Sequence, residues 1–153
     1  MAPDETIAFS FDGSAIGVRQ ALTRLIRDLL ARSVNKVDRD NVELVLAEAL
    51  NNIVEHGYRG GKNGKIDLCC TLRSEGVDIV VMDCGAAVPE AVLLPRAAPD
   101  PQTRMHDLPE GGWGWSMIHK LTGKLKYSRE GDCNRLELHL PFSVDVRPGS
   151  GSD

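Results

Sequence analysis

Residues 46–58 read LAEALNNIVEHGY, and the order of polar and apolar positions in that stretch decides the architecture. Leu46, Ala49, Leu50 and Ile53, with Val42 one turn earlier, recur at helical spacing and mark the buried stripe of an amphipathic helix. Glu48, Asn51, Asn52 and Glu55 fall on the other face. Glu48 and Asn52 are four residues apart, so their side chains are neighbours one turn apart. A carboxylate beside an amide oxygen suits a hard cation or its ordered waters, because Mg²⁺ takes oxygen ligands and needs only one or two protein groups besides water and phosphate. A solvent-facing polar stripe has the same composition, so the helix alone leaves both readings open. His56 closes the helix, where a cationic ring suits the dipole.

The sequence on either side supplies the other elements. Ile7 to Phe11 alternates as a short first strand. Ser14 is placed to cap a long helix reaching about Ser33, with Ile16, Ala21, Leu22, Leu25, Ile26, Leu29 and Leu30 as its apolar positions. Asp38 or Asp40 is expected to start the second helix, which stops near Gly57 before the turn-rich GYRGGKNGK. Lys65 to Arg73 and Val77 to Asp83 read as a hairpin around a tight turn. From Gly85 to Gly114 the chain carries five of its eight prolines (Pro89, Pro95, Pro99, Pro101 and Pro109), the composition of a functional lid or an insertion. A short helix from about Trp115 to Leu121 and two strands, Lys124 to Arg129 and Arg135 to Leu140, follow around a turn at Gly131. RPGSGSD reads as a flexible tail. The βα alternation of a doubly wound sheet is missing. The order predicts an α/β (α+β) two-layer sandwich, a mostly antiparallel mixed sheet with helices on one face.

A chain of 153 residues suits one domain, and only 5% of it is aromatic, so Leu, Val, Ile and Ala must build the core. The net charge of −4 comes from interleaved signs, without the clustered basic face of a nucleic-acid binder. No apolar stretch reaches the length of a membrane span, and the acidic start lacks the order of a secretory signal, so a cytoplasmic address is expected. Cys69, Cys70, Cys84 and Cys133 form no CxxC pair and no zinc-type spacing with His. Four free thiols, buried or half-buried, are expected in a reducing compartment.

Three further segments bear on chemistry. The apolar run VDIVVMD ends in Asp83 and is followed by Cys84 and Gly85. A carboxylate at a strand end can accept a hydrogen bond from an exocyclic amine while a glycine lets the backbone pass close to a flat ring. GGWGW at 111–115 opens a helix, and backbone N–H groups there suit phosphate oxygens. GDCNRLELHLP at 131–141 places a small polar turn before the closing strand.

Taken in order, these motifs resemble the GHKL (Bergerat-type) ATPase superfamily, and most closely the anti-sigma-factor serine/threonine kinases. Glu48, Asn52, His56, Gly57 and Tyr58 match the helix motif of that family, and Asp83 and Gly85 match its Asp-x-Gly-x-Gly box, with Ala87 where the second glycine stands. Gly112 and Gly114 match the lid box, which here continues with Trp115 and Ser116. The likeness covers the chain from the first strand to Pro141, and it implies one histidine-kinase-like ATP-binding domain over residues 1–143, an ATP lid at 86–111 and a tail at 144–153.

The resemblance also implies roles. Glu48 would be the catalytic base and Asn52 the Mg²⁺ ligand; Asp83 would read the adenine amino group, with Gly85, Ala87 and Asn134 around the base. Gly112 and Gly114 would present N–H groups to the phosphates of ATP, and Arg104, with Arg96 and His106, would neutralise their charge. The implied activity is phosphorylation of a STAS-type antagonist by a homodimer that also sequesters a sigma factor or similar regulator. A non-catalytic partner-switching module with the same fold is the alternative, favoured by Ala87 and Ser116 and opposed by Glu48. The ATP-binding half of a histidine kinase is a third reading, and the chain lacks room for its phosphoacceptor hairpin.

Overall fold

Ser14 Oγ accepts a hydrogen bond from the Gly17 N–H at 3.0 Å and so caps the first helix, α1 (Ala15–Ala31), as the sequence predicts. The computed structural model describes residues 5–57, 64–87 and 118–143. Val18, Ala21, Leu25 and Leu29 form the buried stripe of α1. The helix ends with Val34 N–H bonded to Leu29 O, while Ser33 takes the left-handed conformation at φ 65°. That closure swings the chain directly into α2 (Lys36–Asn52). Its cap is Asn35, whose Oδ1 accepts from Asp38 N at 2.9 Å, so the helix starts earlier than either aspartate suggested.

Asp38 has a different task. It is buried, and its Oδ1 accepts the Ser143 N–H at 2.8 Å, tying the start of α2 to the chain just beyond the last strand. The other end of α2 does not simply stop: Ile53–Gly57 continues it as one π-helical turn, a geometry that inserts an extra residue per turn and is frequent at functional sites.

Five strands follow the order β1-β2-β3-β5-β4: β1 (Glu5–Asp12), β2 (Lys65–Leu72), β3 (Gly76–Asp83), β4 (Lys124–Glu130) and β5 (Cys133–Pro141). Every pairing is antiparallel, so the expectation of a mixed sheet is corrected: among the described strands none pairs in parallel. Alternation sends Ile7, Ile66, Leu68, Ile79, Val81, Leu136 and Leu138 to one face, where they form a single core with the buried stripes of α1 and α2. Ala8, Ser10, Asp67, Cys69, Val80 and Met82 lie along a groove of the other face, which no described helix covers.

The cysteines depart from expectation. Cys69 and Cys70 are free, but Cys84 and Cys133 form a disulfide. Sheet register is the cause. Asp83 pairs with Asn134, so the next residues out, Cys84 and Cys133, face each other with Cα atoms 3.9 Å apart. Their separation of 49 residues hides this from any local reading of the sequence. The proposed lid at 86–111 and tail at 144–153 lie outside the described residues, apart from Ala86 and Ala87.

Candidate functional site

The alternation that buries Val77, Ile79 and Val81 also buries Asp83, the last residue of β3, at 4% exposure. A carboxylate there needs donors, and the chain supplies them locally and across the sheet. Gly85 N–H donates to Asp83 Oδ2 at 2.9 Å, and Asn134 Nδ2 donates to the same oxygen at 3.1 Å. Asp83 Oδ1 takes no hydrogen bond from the described residues. Burial raises the pKa of the carboxyl, against the opposing pull of Gly85 N–H, Asn134 and the Arg129 charge. The result is a fixed acceptor with one oxygen in reserve, suited to an amino group such as that of adenine.

Asn134 is the hub of this corner. Only 2% exposed, it also directs Nδ2 at Gly85 O and Ala86 O, both at 3.2 Å. Its Oδ1 accepts from Tyr127 Oη at 2.6 Å and Arg129 Nη1 at 2.8 Å. Arg129 Nη1 reaches Gly85 O as well, at 2.9 Å. With both ends of its amide engaged, Asn134 holds the Asp83–Ala86 turn in shape. Tyr127 and Arg129 were not singled out from sequence. Their signal was present, since they share the inward parity of Leu125 on β4 and pair with Leu136 and Asn134.

The helix motif behaves differently from a surface stripe. Asn51 and Glu55 are exposed and Glu48 is half-buried, but Asn52 is buried at 4% exposure. Asn52 Nδ2 donates to Glu48 O at 2.7 Å and to Glu48 Oε2 at 3.2 Å. The amide is thereby oriented. Its donor end is spent on Glu48, and its Oδ1 takes no donor among the described residues, leaving a buried acceptor that a hard cation would satisfy. No group of three or more His, Cys, Asp or Glu assembles among the described residues, so an ion here would draw its other ligands from water and phosphate.

The Asp38–Ser143 hydrogen bond gives α2 and the end of β5 a common starting point. α2 starts beside Ser143, and Asn52 lies fourteen residues on, roughly 21 Å along a helix. Asn134 lies nine residues back from Ser143 along β5, about 30 Å at strand rise. The chain then joins Gly57 to Gly64, which sits at the same sheet end and accepts the Gly13 N–H at 2.7 Å.

Ala87 is exposed. Tyr58, Arg96, Arg104, His106, Gly112, Gly114, Trp115 and Ser116 lie outside the described residues. Of the expected short helix, residues 118–121 are helical and Ile118 is fully buried.

A family model described as a histidine kinase-like ATPase domain matches residues 14–140. An anti-sigma F factor of Clostridium acetobutylicum is 26% identical over 106 residues, covering 69% of this chain and 71% of that protein. The serine-protein kinase RsbW of Halalkalibacterium halodurans is 29% identical over 94 residues, 61% of this chain and 57% of that one, so the match spans little more than half of this relative. Among solved structures, the RsbU and RsbW domains of a Mycobacterium tuberculosis protein superpose with a TM-score of 0.61 at 17% identity, over 95% of this chain and 35% of theirs. The histidine kinase domain of a blue-light activated kinase from Erythrobacter litoralis gives 0.51 at 15% identity, over 82% of this chain and 61% of that one. At these identities the structural likeness speaks to the fold.

Proposed function

The chain belongs to the histidine kinase-like ATPase domain family, and from that premise we propose that it is an anti-sigma-type protein serine/threonine kinase using Mg–ATP. The observation that carries the reading is the pair Glu48 and Asn52, a half-buried carboxylate held by a buried amide. The similarity to an anti-sigma F factor and to RsbW kinases supports the same branch.

In this proposal Asp83 accepts the adenine amino group through its free oxygen, and the Asn134 network keeps that acceptor and the Gly85 backbone in place. The donors of Gly112 and Gly114 meet the phosphates, and Arg104 offsets their charge. Asn52 Oδ1 is the protein ligand for Mg²⁺, which when bound neutralises phosphate charge and fixes the γ-phosphoryl group for in-line attack. Glu48 accepts the proton of a Ser or Thr hydroxyl as its oxygen bonds to the γ-phosphorus and ADP leaves. The Asn52 Nδ2 contact orients that carboxylate. A positioned base of this kind contributes roughly 10² to 10⁴ in rate.

The substrate is a STAS-type antagonist, the sequestered partner a sigma factor or similar regulator, and the working form a homodimer in the cytoplasm. No described helix is long and apolar enough to cross a membrane. The test is transfer of labelled γ-phosphate from Mg–ATP to the antagonist, wild type against Glu48→Ala. Transfer unchanged by the substitution removes Glu48 as the base. Absence of Mg-dependent nucleotide binding at millimolar ATP, read by calorimetry, removes the site itself. Binding without transfer to any antagonist leaves the non-catalytic module as the reading.

A further inference from the structure

Directly beyond the Asp83 and Asn134 pair, the structure places two bonded sulfurs that join the end of β3 to the start of β5. Cys84 is exposed and follows β3; Cys133 is half-buried and opens β5 after the two-residue turn in which Gly131 takes φ 58°. One is the residue before Gly85 and the other the residue before Asn134, so the bridge ties together the two backbones whose side chains and carbonyls make the acceptor corner. We propose that Cys84 and Cys133 are a thiol–disulfide exchange site through which the redox poise of the surroundings sets the rigidity of the Asp83–Gly85 turn and, resting on the nucleotide-site reading above, the affinity for Mg–ATP.

Two observations and one general habit of disulfides carry this. The pair is accessible, with Cys84 in contact with solvent. The other two cysteines do not compete: Cys70 is buried in the core with its thiol pushed up to about 12, and Cys69 points to the open sheet face in the middle of β2. In a reducing compartment, disulfides that form are most often transient or sensing rather than structural.

The chemistry balances with an external thiol/disulfide couple as co-reactant. In the reducing direction, a thiolate attacks the exposed Cys84 sulfur, forming a mixed disulfide and releasing the Cys133 thiolate, which takes a proton. A second external thiolate attacks the external sulfur of that mixed disulfide and releases Cys84, giving two protein thiols and one external disulfide, a two-electron exchange. Oxidation runs the same steps backwards. With the bridge closed, Gly85 and Ala86 stay against β5 and the acceptor corner is preorganised; with it open, hydrogen bonds from the Gly85 N–H, Asn134 and Arg129 hold the turn without a covalent tie.

The test equilibrates the full chain in glutathione buffers of stepped ratio, quenches with an alkylating label and maps the labelled cysteines by mass spectrometry. Hydrogen exchange at the Gly85 amide and calorimetric Mg–ATP binding are then measured on each form. The expected result is reversible loss of labelling at Cys84 and Cys133 together, slower exchange at Gly85 in the bridged form, and about fivefold tighter nucleotide binding. Cys84→Ser and Cys133→Ser should each behave as the open form under oxidising conditions, and Cys69→Ser should respond as wild type. Labelling of both thiols at every ratio overturns the exchange site. Equal Gly85 exchange in the two forms, or equal nucleotide affinity where nucleotide binds, overturns the switch. If the bridge forms and Gly85 slows while no nucleotide binds either form, the switch on the turn stands and the nucleotide reading fails.

Discussion

Asn134 Nδ2 lies 3.1 Å from Asp83 Oδ2 across paired strands, and no bulk solvent separates two side chains that are 2% and 4% exposed. Removing the amide takes a hydrogen-bond partner from several groups at once: the Asp83 carboxylate, the Gly85 and Ala86 carbonyls and the Tyr127 hydroxyl. Asn134→Ala is expected to destabilise the domain by about 2–4 kcal/mol, more than the loss of one average hydrogen bond, because several hydrogen bonds go together and one of them is to the buried Asp83 carboxylate. Chemical denaturation measures this. Arg129→Ala, removing an exposed contributor to the same network, should have a smaller effect.

Glu48→Gln separates chemistry from binding. The amide keeps an oxygen for Asn52 Nδ2 but cannot take a proton, so phosphotransfer should fall roughly 10² to 10⁴-fold while Mg–ATP affinity and melting temperature stay near wild type. Single-turnover transfer beside calorimetry reads both. Asn52→Ala should instead abolish the Mg²⁺ dependence of nucleotide binding.

Asp83→Asn tests a trade between stability and function. Burial raises the folded pKa of Asp83 above the ordinary 3.8, so the folded state holds this proton more tightly than the unfolded chain does. Its contribution to stability is therefore greatest below pH 3.8 and declines as pH rises through the raised folded value. At pH 7 the neutral amide should leave the melting temperature unchanged or higher, with the difference vanishing at acid pH. Nucleotide binding should drop, and discrimination of ATP from GTP should relax.

Backbone geometry gives a paired prediction at the two ends of α1. A Cβ at Gly17 would collide with the Asp12 carbonyl oxygen, where the helix start docks on the end of β1. Gly17→Ala, favourable by about 1 kcal/mol in an ordinary helix, should here lower the melting temperature sharply. Ser33→Gly should raise it, through a stability gain of about 0.5–1 kcal/mol, because the left-handed conformation at φ 65° carries no penalty for glycine. Thermal melts of both variants check the pair.

The two-layer fold was legible because period-2 and period-3.6 patterns are local. Val42, Leu46 and Leu50 mark one helix face, and Ile79 and Val81 one strand face, without reference to the rest of the chain. The cap at Asn35 was overlooked because Asp38, equally apt in sequence, spends its side chain on Ser143 instead. Asn52 reads as a surface residue from helical position alone; its burial follows from where the helix end meets the sheet. Tyr127, Arg129 and the Cys84–Cys133 bridge depend on register between strands far apart in sequence, which no local pattern encodes.

The strand order has a consequence for synthesis. β1, β2 and β3 lie side by side and can pair as soon as residue 83 has left the ribosome, but β3 takes its other neighbour, β5, only after Pro141 has been made. Closing that wide loop is the entropically slow part of assembly. Asp83 thus waits, its acceptor corner half-built, while the intervening residues are translated. On the proposed nucleotide-site reading, a nascent chain cannot capture ATP early, and competence is conferred in one late step when β5 arrives.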